Sequence, residues 1–166
     1  DYRLVATLMG HTDVVRNLLI VGDVLCSCDY DGVIKFWKLI DSASDVHVCT
    51  ATLKGHEPTK QVMSLVADEE AGRLYSICYD KLAIVWDLNT REKLHKFEHP
   101  AGMRSQALHL RGRSTIEGGV YLTGLIDGQL YAWNLASREV ASRWRAHTGA
   151  VWCMQVTHLE LITRSM

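Results

Sequence analysis

The chain has 166 residues, 48% of them hydrophobic and 22% charged, with a formal net charge of −1. That composition suits an ordinary globular protein with room for a core, and so small a charge gives no global field to hold the chain on nucleic acid or an anionic membrane. No stretch nears the roughly 18 uninterrupted apolar residues of a bilayer span, and Asp1-Tyr2-Arg3-Leu4 shows no signal-peptide pattern. Strand signals begin with Leu18-Leu19-Ile20-Val21, break at Gly22-Asp23 and resume in Val24-Leu25-Cys26-Ser27-Cys28. The turn Asp29-Tyr30-Asp31-Gly32 then leads into a run ending at Trp37, a hairpin signal. Val48-Cys49-Thr50-Ala51-Thr52-Leu53 reads as a further strand, and Leu94-His95-Lys96-Phe97 takes the same place one unit later. Nothing of any length reads as helical.

The chain repeats itself, and repeats decide a fold before anything else. Asp31-Gly32-Val33-Ile34-Lys35-Phe36-Trp37, Asp80-Lys81-Leu82-Ala83-Ile84-Val85-Trp86 and Asp127-Gly128-Gln129-Leu130-Tyr131-Ala132-Trp133 share one frame. In each, Trp follows Asp by six positions, and a leucine follows Trp by two: Leu39, Leu88 and Leu135. A small hydroxyl stands four residues before each Asp, at Ser27, Ser76 and Thr123. A histidine lies upstream of each, in Gly10-His11, Gly55-His56 and Glu98-His99. A fourth copy opens at Ala146-His147 and reaches Thr163 in the hydroxyl position before the chain stops.

At these residues the chain resembles the WD-repeat family, whose blades of four-stranded antiparallel sheet circle a central channel. The resemblance covers three units and half of a fourth. It implies an all-β fold of propeller blades in an incomplete ring: an outer strand of a preceding blade at 1–8, blades at 9–53, 54–97 and 98–145, and the start of another at 146–166. Closure takes about seven blades, so the remaining blades are expected in a longer chain. The eponymous dipeptide is intact only as Trp86-Asp87; Trp37-Lys38 and Trp133-Asn134 depart from it, Lys81 replaces the usual turn glycine, and Glu98 replaces the glycine before histidine.

With strands named a to d from the channel outward, the family frame puts each unit's His before strand a, its hydroxyl on b, its Asp in the b–c turn and its Trp on c. The resemblance thus implies buried networks His11-Ser27-Asp31-Trp37, His56-Ser76-Asp80-Trp86 and His99-Thr123-Asp127-Trp133, with His147 and Thr163 beginning a fourth. The residue types suit one another: the imidazole donates to the carboxylate and meets the hydroxyl, which meets the indole N–H. A Ser–His–Asp set also invites a hydrolase reading. A hydrolase, however, carries one activated triad with an oxyanion hole. Here the set recurs three times, each with a Trp, so these residues are expected to serve the fold, and no catalytic residue is assigned.

Five cysteines, with Cys26, Cys28, Cys78 and Cys153 inside apolar strand-like runs, read as reduced, buried thiols in a cytosolic or nuclear protein. Cys26 and Cys28 share a strand face but lack a second ligand pair at zinc spacing, so no metal is expected. Neither a phosphate loop nor any other cofactor motif occurs. Arg111, Arg113, Arg143 and Arg145 lack the interleaved aromatics of a nucleic-acid groove.

Propellers bind through loops, since strand edges are consumed in pairing. In the family the d–a and b–c loops share one rim, and the resemblance puts Tyr30, Tyr79 and Ile126 there, just before the turn aspartates. Arg16, Met63, Arg104 and Trp152, early in strand a, are expected beside them, with a register two residues along also open in the middle units. The long c–d connection Asp41 to Val46, and the a–b connections around Asp68-Glu69-Glu70 and Arg111 to Gly119, fall on the opposite rim, a candidate second surface. The expected role is a non-catalytic scaffold or adaptor holding protein or peptide partners, with no small-molecule substrate, no membrane insertion and no nucleic acid. The alternatives are a regulatory or substrate-recruiting domain of a larger enzyme, such as a ubiquitin ligase or kinesin-type motor, and an RNA- or ribosome-associated propeller.

Overall fold

A computed structural model describes residues 7–38, 48–109, 119–157 and 160–165. Those residues form strands and turns only, in four antiparallel sheets. The first holds β1 (Val15–Val21), β2 (Val24–Asp29), β3 (Val33–Lys38) and β4 (Val48–Lys54) in chain order. The second repeats the order with β5 (Val62–Asp68), β6 (Arg73–Cys78), β7 (Leu82–Asp87) and β8 (Lys93–Glu98). The third has β9 (Met103–His109), β10 (Val120–Leu125), β11 (Gln129–Asn134) and β12 (Val140–Arg145), and the fourth pairs β13 (Val151–Val156) with β14 (Leu161–Ser165). The sheets close no ring among the described residues. The expected outer strand at 1–8 lies outside them apart from Thr7 and Leu8, which join no strand.

The first three sheets are four-strand meanders whose middle strands are apolar on both faces. β2, β6 and β10 read as near-continuous hydrophobic runs, and β10 is buried throughout. Such runs fit strands covered on both sides. The second sheet shows how the faces divide. Leu74, Ile84 and Trp86 pack with Cys26, Ile34 and Phe36 of the first sheet, while Tyr75, Ile77 and Val85 pack with Met103, Tyr121 and Leu125 of the third. Side chains alternate across a strand, so one sheet supplies half of two cores. The outermost strands meet water: β12 is exposed along its whole length.

The innermost strands are clasped by single side chains. Asn17 Oδ1 accepts the Leu65 N–H at 3.0 Å, Gln106 Nε2 donates to the Ser64 carbonyl at 2.7 Å, and Ser105 Oγ donates to the Val151 carbonyl at 2.8 Å. Each bond ties strand a of one sheet to strand a of the next.

One feature of the cysteine expectation is overturned. Cys26, Cys28 and Cys78 are buried, but Cys153 is exposed. Val151 and Met154 of β13 turn toward the third sheet, and the face carrying Cys153 meets no other described sheet. Burial pushes the Cys26 thiol up to about 11 and Cys28 to about 12, which keeps both protonated and unreactive.

Candidate functional site

The second sheet holds a complete polar network. Trp86 Nε1 donates to Ser76 Oγ at 2.8 Å, Ser76 Oγ lies 2.7 Å from His56 Nε2, and His56 Nδ1 lies 2.8 Å from Asp80 Oδ2. Read as one chain, the indole donates to the hydroxyl, the hydroxyl to Nε2, and Nδ1–H to the carboxylate, so every group is used. Burial works to raise the Asp80 carboxyl, but the imidazole and the backbone N–H groups of Glu57 and Leu82 outweigh it and hold the carboxyl below its usual range. Gly55 makes the close fit possible, since a Cβ there would lie 2.4 Å from the Trp86 ring.

Cys78 brings its sulfur within 4.8 Å of the same His56 and Asp80 donor atoms. The imidazole and carboxylate are already joined to each other, however, and burial raises the Cys78 thiol far above its ordinary value. The cluster is a hydrogen-bonded one. Ser76 is fully buried and its oxygen meets both an indole and an imidazole. A nucleophile would need access that this hydroxyl lacks.

In the first sheet the structure corrects the carboxylate. His11 Nε2 meets Ser27 Oγ and Trp37 Nε1 donates to that oxygen at 2.8 Å, but Nδ1 is held by Asp29, not Asp31. Asp29 sits two residues nearer the hydroxyl and is fully buried. Its other oxygen accepts the N–H groups of Asp31 and Val33, both at 3.0 Å. Asp31 accepts the Thr12 hydroxyl instead, at 2.9 Å.

The third sheet departs further. His99 Nε2 lies 2.8 Å from Thr123 Oγ1, and the Trp133 indole N–H lies 3.2 Å from that nitrogen and 3.3 Å from the hydroxyl. Asp127, expected to complete the set, does not reach the imidazole. Its carboxylate accepts the backbone N–H of Gln129 at 3.1 Å and the Gln129 side-chain amide at 2.9 Å. His99 Nδ1 is buried without a partner. Burial pushes this histidine down to about 4. In the fourth sheet, His147 Nε2 and Thr163 Oγ1 are 2.8 Å apart.

The residues after Trp86 and Trp133 acquire a role that spacing did not show. Asp87 Oδ1 accepts the N–H groups of Asn89 and Thr90, and Asn134 Oδ1 accepts those of Ala136 and Ser137. Each closes an identical turn, with Arg91 and Arg138 at positive φ as its fifth residue. Asp and Asn both serve because only a side-chain oxygen is needed. Leu88 and Leu135, next in each turn, pack into the cores between sheets.

The rim expected to bind partners has a repeating construction. Arg16, Met63, Arg104 and Trp152 are each the extra residue of a β-bulge between strands a and b. Bulges re-aim side chains and recur next to functional sites. Tyr30, Tyr79 and Ile126 each donate their backbone N–H to the segment entering strand a, at the carbonyls of Val14, Gln61 and Gly102. Loop and bulge therefore share one edge. Arg16 and Ile126 are exposed; Tyr30, Tyr79, Arg104 and Trp152 are half-buried. Met63 is 3% exposed and packs into the core between the second and third sheets, so it is removed from the rim. Its flexible apolar side chain folds inward where the two arginines cannot. On the opposite rim, the connections at 41–46 and 111–118, with Arg111 and Arg113, lie outside the described residues.

Sheets of this kind, stacked through shared cores with a His–hydroxyl–Trp bond set in each complete one, define propeller blades. The family model for "WD domain, G-beta repeat" matches residues 2–38 and 47–87, and the chain belongs to the WD-repeat family. Among curated proteins it is 35% identical over 89 residues to "Cell division control protein 4" of Candida albicans, covering 54% of this chain and 12% of that protein. It is 25% identical over 146 residues to human "Pre-mRNA-processing factor 17", covering 86% of this chain and 24% of that protein. The chain therefore spans a quarter or less of either relative. Among solved structures, the computationally designed Ika4 protein superposes with a TM-score of 0.78 at 18% identity, covering 98% of this chain and 92% of that one. The RRP9 WD40 repeats superpose with a TM-score of 0.72 at 19% identity, covering 89% and 43%. These likenesses show the fold alone.

Proposed function

We propose that this protein is a non-catalytic docking scaffold that holds protein or peptide partners on the rim shared by Arg16, Tyr30, Tyr79, Arg104, Ile126 and Trp152. The observation that carries this reading is the bulge at the same place in all four sheets, three of whose four residues stay at the surface beside the b–c loops. Aromatic and arginine side chains are the residues that dominate binding energy at protein interfaces. The His–Ser–Asp sets are consumed by the fold, which supports a binding role over a hydrolytic one. The buried, protonated thiols support a reducing compartment, cytoplasmic or nuclear.

A second reading follows from the name of the human relative. Pre-mRNA-processing factor 17 belongs to RNA processing by its name, so an RNA-associated assembly is the alternative setting for the same scaffold. Photo-crosslinkers placed at Ile126 and Arg16, with Val48 on an outer strand as the control, test the docking reading in cells with the full-length protein. Protein adducts at the two rim positions and none at Val48 are expected. Adducts confined to Val48, or RNA adducts alone at the rim, would overturn it.

A further inference from the structure

Arg104 is the one rim residue whose surroundings specify a ligand. Its guanidinium carbon lies 3.5 Å from the centre of the Trp152 ring and 5.5 Å from that of Tyr79. Nε is sealed from water and has no hydrogen-bond partner. Among the described residues no carboxylate pairs with this side chain; the ion pairs are His11–Asp29, His56–Asp80 and Lys96–Glu98. A cation that has lost part of its water, with aromatic rings to hold its plane and no counter-ion, is incomplete as it stands.

The ring on one side is set in place by backbone. A Cβ on Gly102 would lie 2.7 Å from the Tyr79 ring and 3.4 Å from Tyr79 Cα, so only glycine leaves room for that tyrosine at the mouth of strand a. The bulge at Arg104 then places the guanidinium between neighbouring blades, where Tyr79 belongs to one and Trp152 to the other.

We infer that Arg104, held by Tyr79 and Trp152, receives an aspartate or glutamate side chain from a docked acidic peptide. Trp152 covers the guanidinium at 3.5 Å and Nε is sealed, which leaves the two terminal nitrogens, whose paired N–H groups match a carboxylate two for two. A single guanidinium balances one negative charge, which favours a carboxylate over a phosphate carrying close to two. The inference rests on the rim reading above and names the partner's chemistry.

Short synthetic peptides of randomised sequence, amidated at the C-terminus, test it when passed over the immobilised full-length protein. Three matched pools carry a central glutamate, glutamine or phosphoserine. The glutamate pool is expected to be retained about tenfold better than the glutamine pool. Arg104→Ala should erase that difference and Arg104→Lys should restore part of it, at unchanged melting temperature. Gly102→Ala, which displaces Tyr79, should weaken glutamate retention more than glutamine retention. Equal retention of glutamate and glutamine, or stronger retention of phosphoserine than of glutamate, would overturn the inference. If Ile126→Asp and Tyr30→Ala release all pools while Arg104→Ala changes nothing, the rim still docks peptides and only the carboxylate assignment falls. If the intact protein retains no pool, both readings fall.

Discussion

The second and third sheets share a strand order and a Trp–hydroxyl–His core, yet they solve the same polar problem differently. In the second, the imidazole is bonded at both nitrogens and the carboxylate is charged and used. In the third, Gln129 takes the carboxylate, Nδ1 of His99 is left bare, and the indole sits closer to its histidine: ring centres are 5.0 Å apart against 6.5 Å. Glu98 also carries a side chain where Gly55 of the second sheet touches its indole. Trp133 is held instead by apolar neighbours, with Phe97 at 4.9 Å and Tyr131 stacked at 5.9 Å. The blade tolerates a broken network where aromatic packing replaces it.

The largest separation between the two sheets is expected on removing the histidine. His56→Ala strands a buried carboxylate and a hydroxyl, and should cost roughly 3–5 kcal/mol in urea unfolding. His99→Ala gives up a much poorer bond set and should cost about 1–2 kcal/mol. Equal losses would erase the distinction.

Acid should act on the sheets in turn. His99 is held near 4 in the folded protein against about 6.5 when unfolded. Below 6.5 the unfolded chain binds a proton that the folded one refuses, so stability falls with pH across the window from about 6.5 to about 4. The full loss is roughly 3 kcal/mol. His99→Gln should flatten that part of the profile. Asp80 has a lowered folded value, so its stabilisation is complete above the unfolded carboxylate range near 4 and fades only below it. A profile that His99→Gln leaves unchanged would remove His99 from the account of acid sensitivity.

The first sheet sharpens the comparison with a smaller effect. Asp29→Asn should cost about 2 kcal/mol, because it weakens the His11 bond and the b–c turn together, while Asp31→Asn should stay under about 0.5 kcal/mol. Thermal unfolding of the two variants checks the order. The one gain is expected at Lys81, which stands at φ 68 where Gly32 and Gly128 stand at 78 and 86. Lys81→Gly should raise stability by about 1 kcal/mol by relieving the left-handed backbone.

Much of the frame was legible because it rests on residues with few substitutes. A buried indole N–H needs an acceptor, so Ser27, Ser76 and Thr123 recur in otherwise apolar strands, and the hydroxyl needs the histidine. The positive φ at Lys81 likewise follows from its place beside the two glycines. What escaped was competition among neighbours. Two aspartates stand at 29 and 31, and distance to the imidazole chose the first; the doubled Asp was the available signal. A glutamine at 129, where the other units have Val33 and Leu82, was the signal that Asp127 would find another donor. The aspartate after Trp86 serves a turn rather than the core, which explains why Asn134 replaces it. Lys38 lacks such an oxygen, and the connection after it is the long one. Burial of Met63 had no local sign, since it depends on how the second and third sheets meet.

Hydrogen exchange at the indole N–H groups tests the shared network most directly. Trp37, Trp86 and Trp133 are buried and bonded to a hydroxyl, whereas Trp144 is 39% exposed on an outer strand. The first three should exchange slowly, with Trp86 the slowest, while Trp144 exchanges at the rate of an open indole. Exchange at Trp37, Trp86 and Trp133 as fast as at Trp144 would contradict the buried network on which the blades depend.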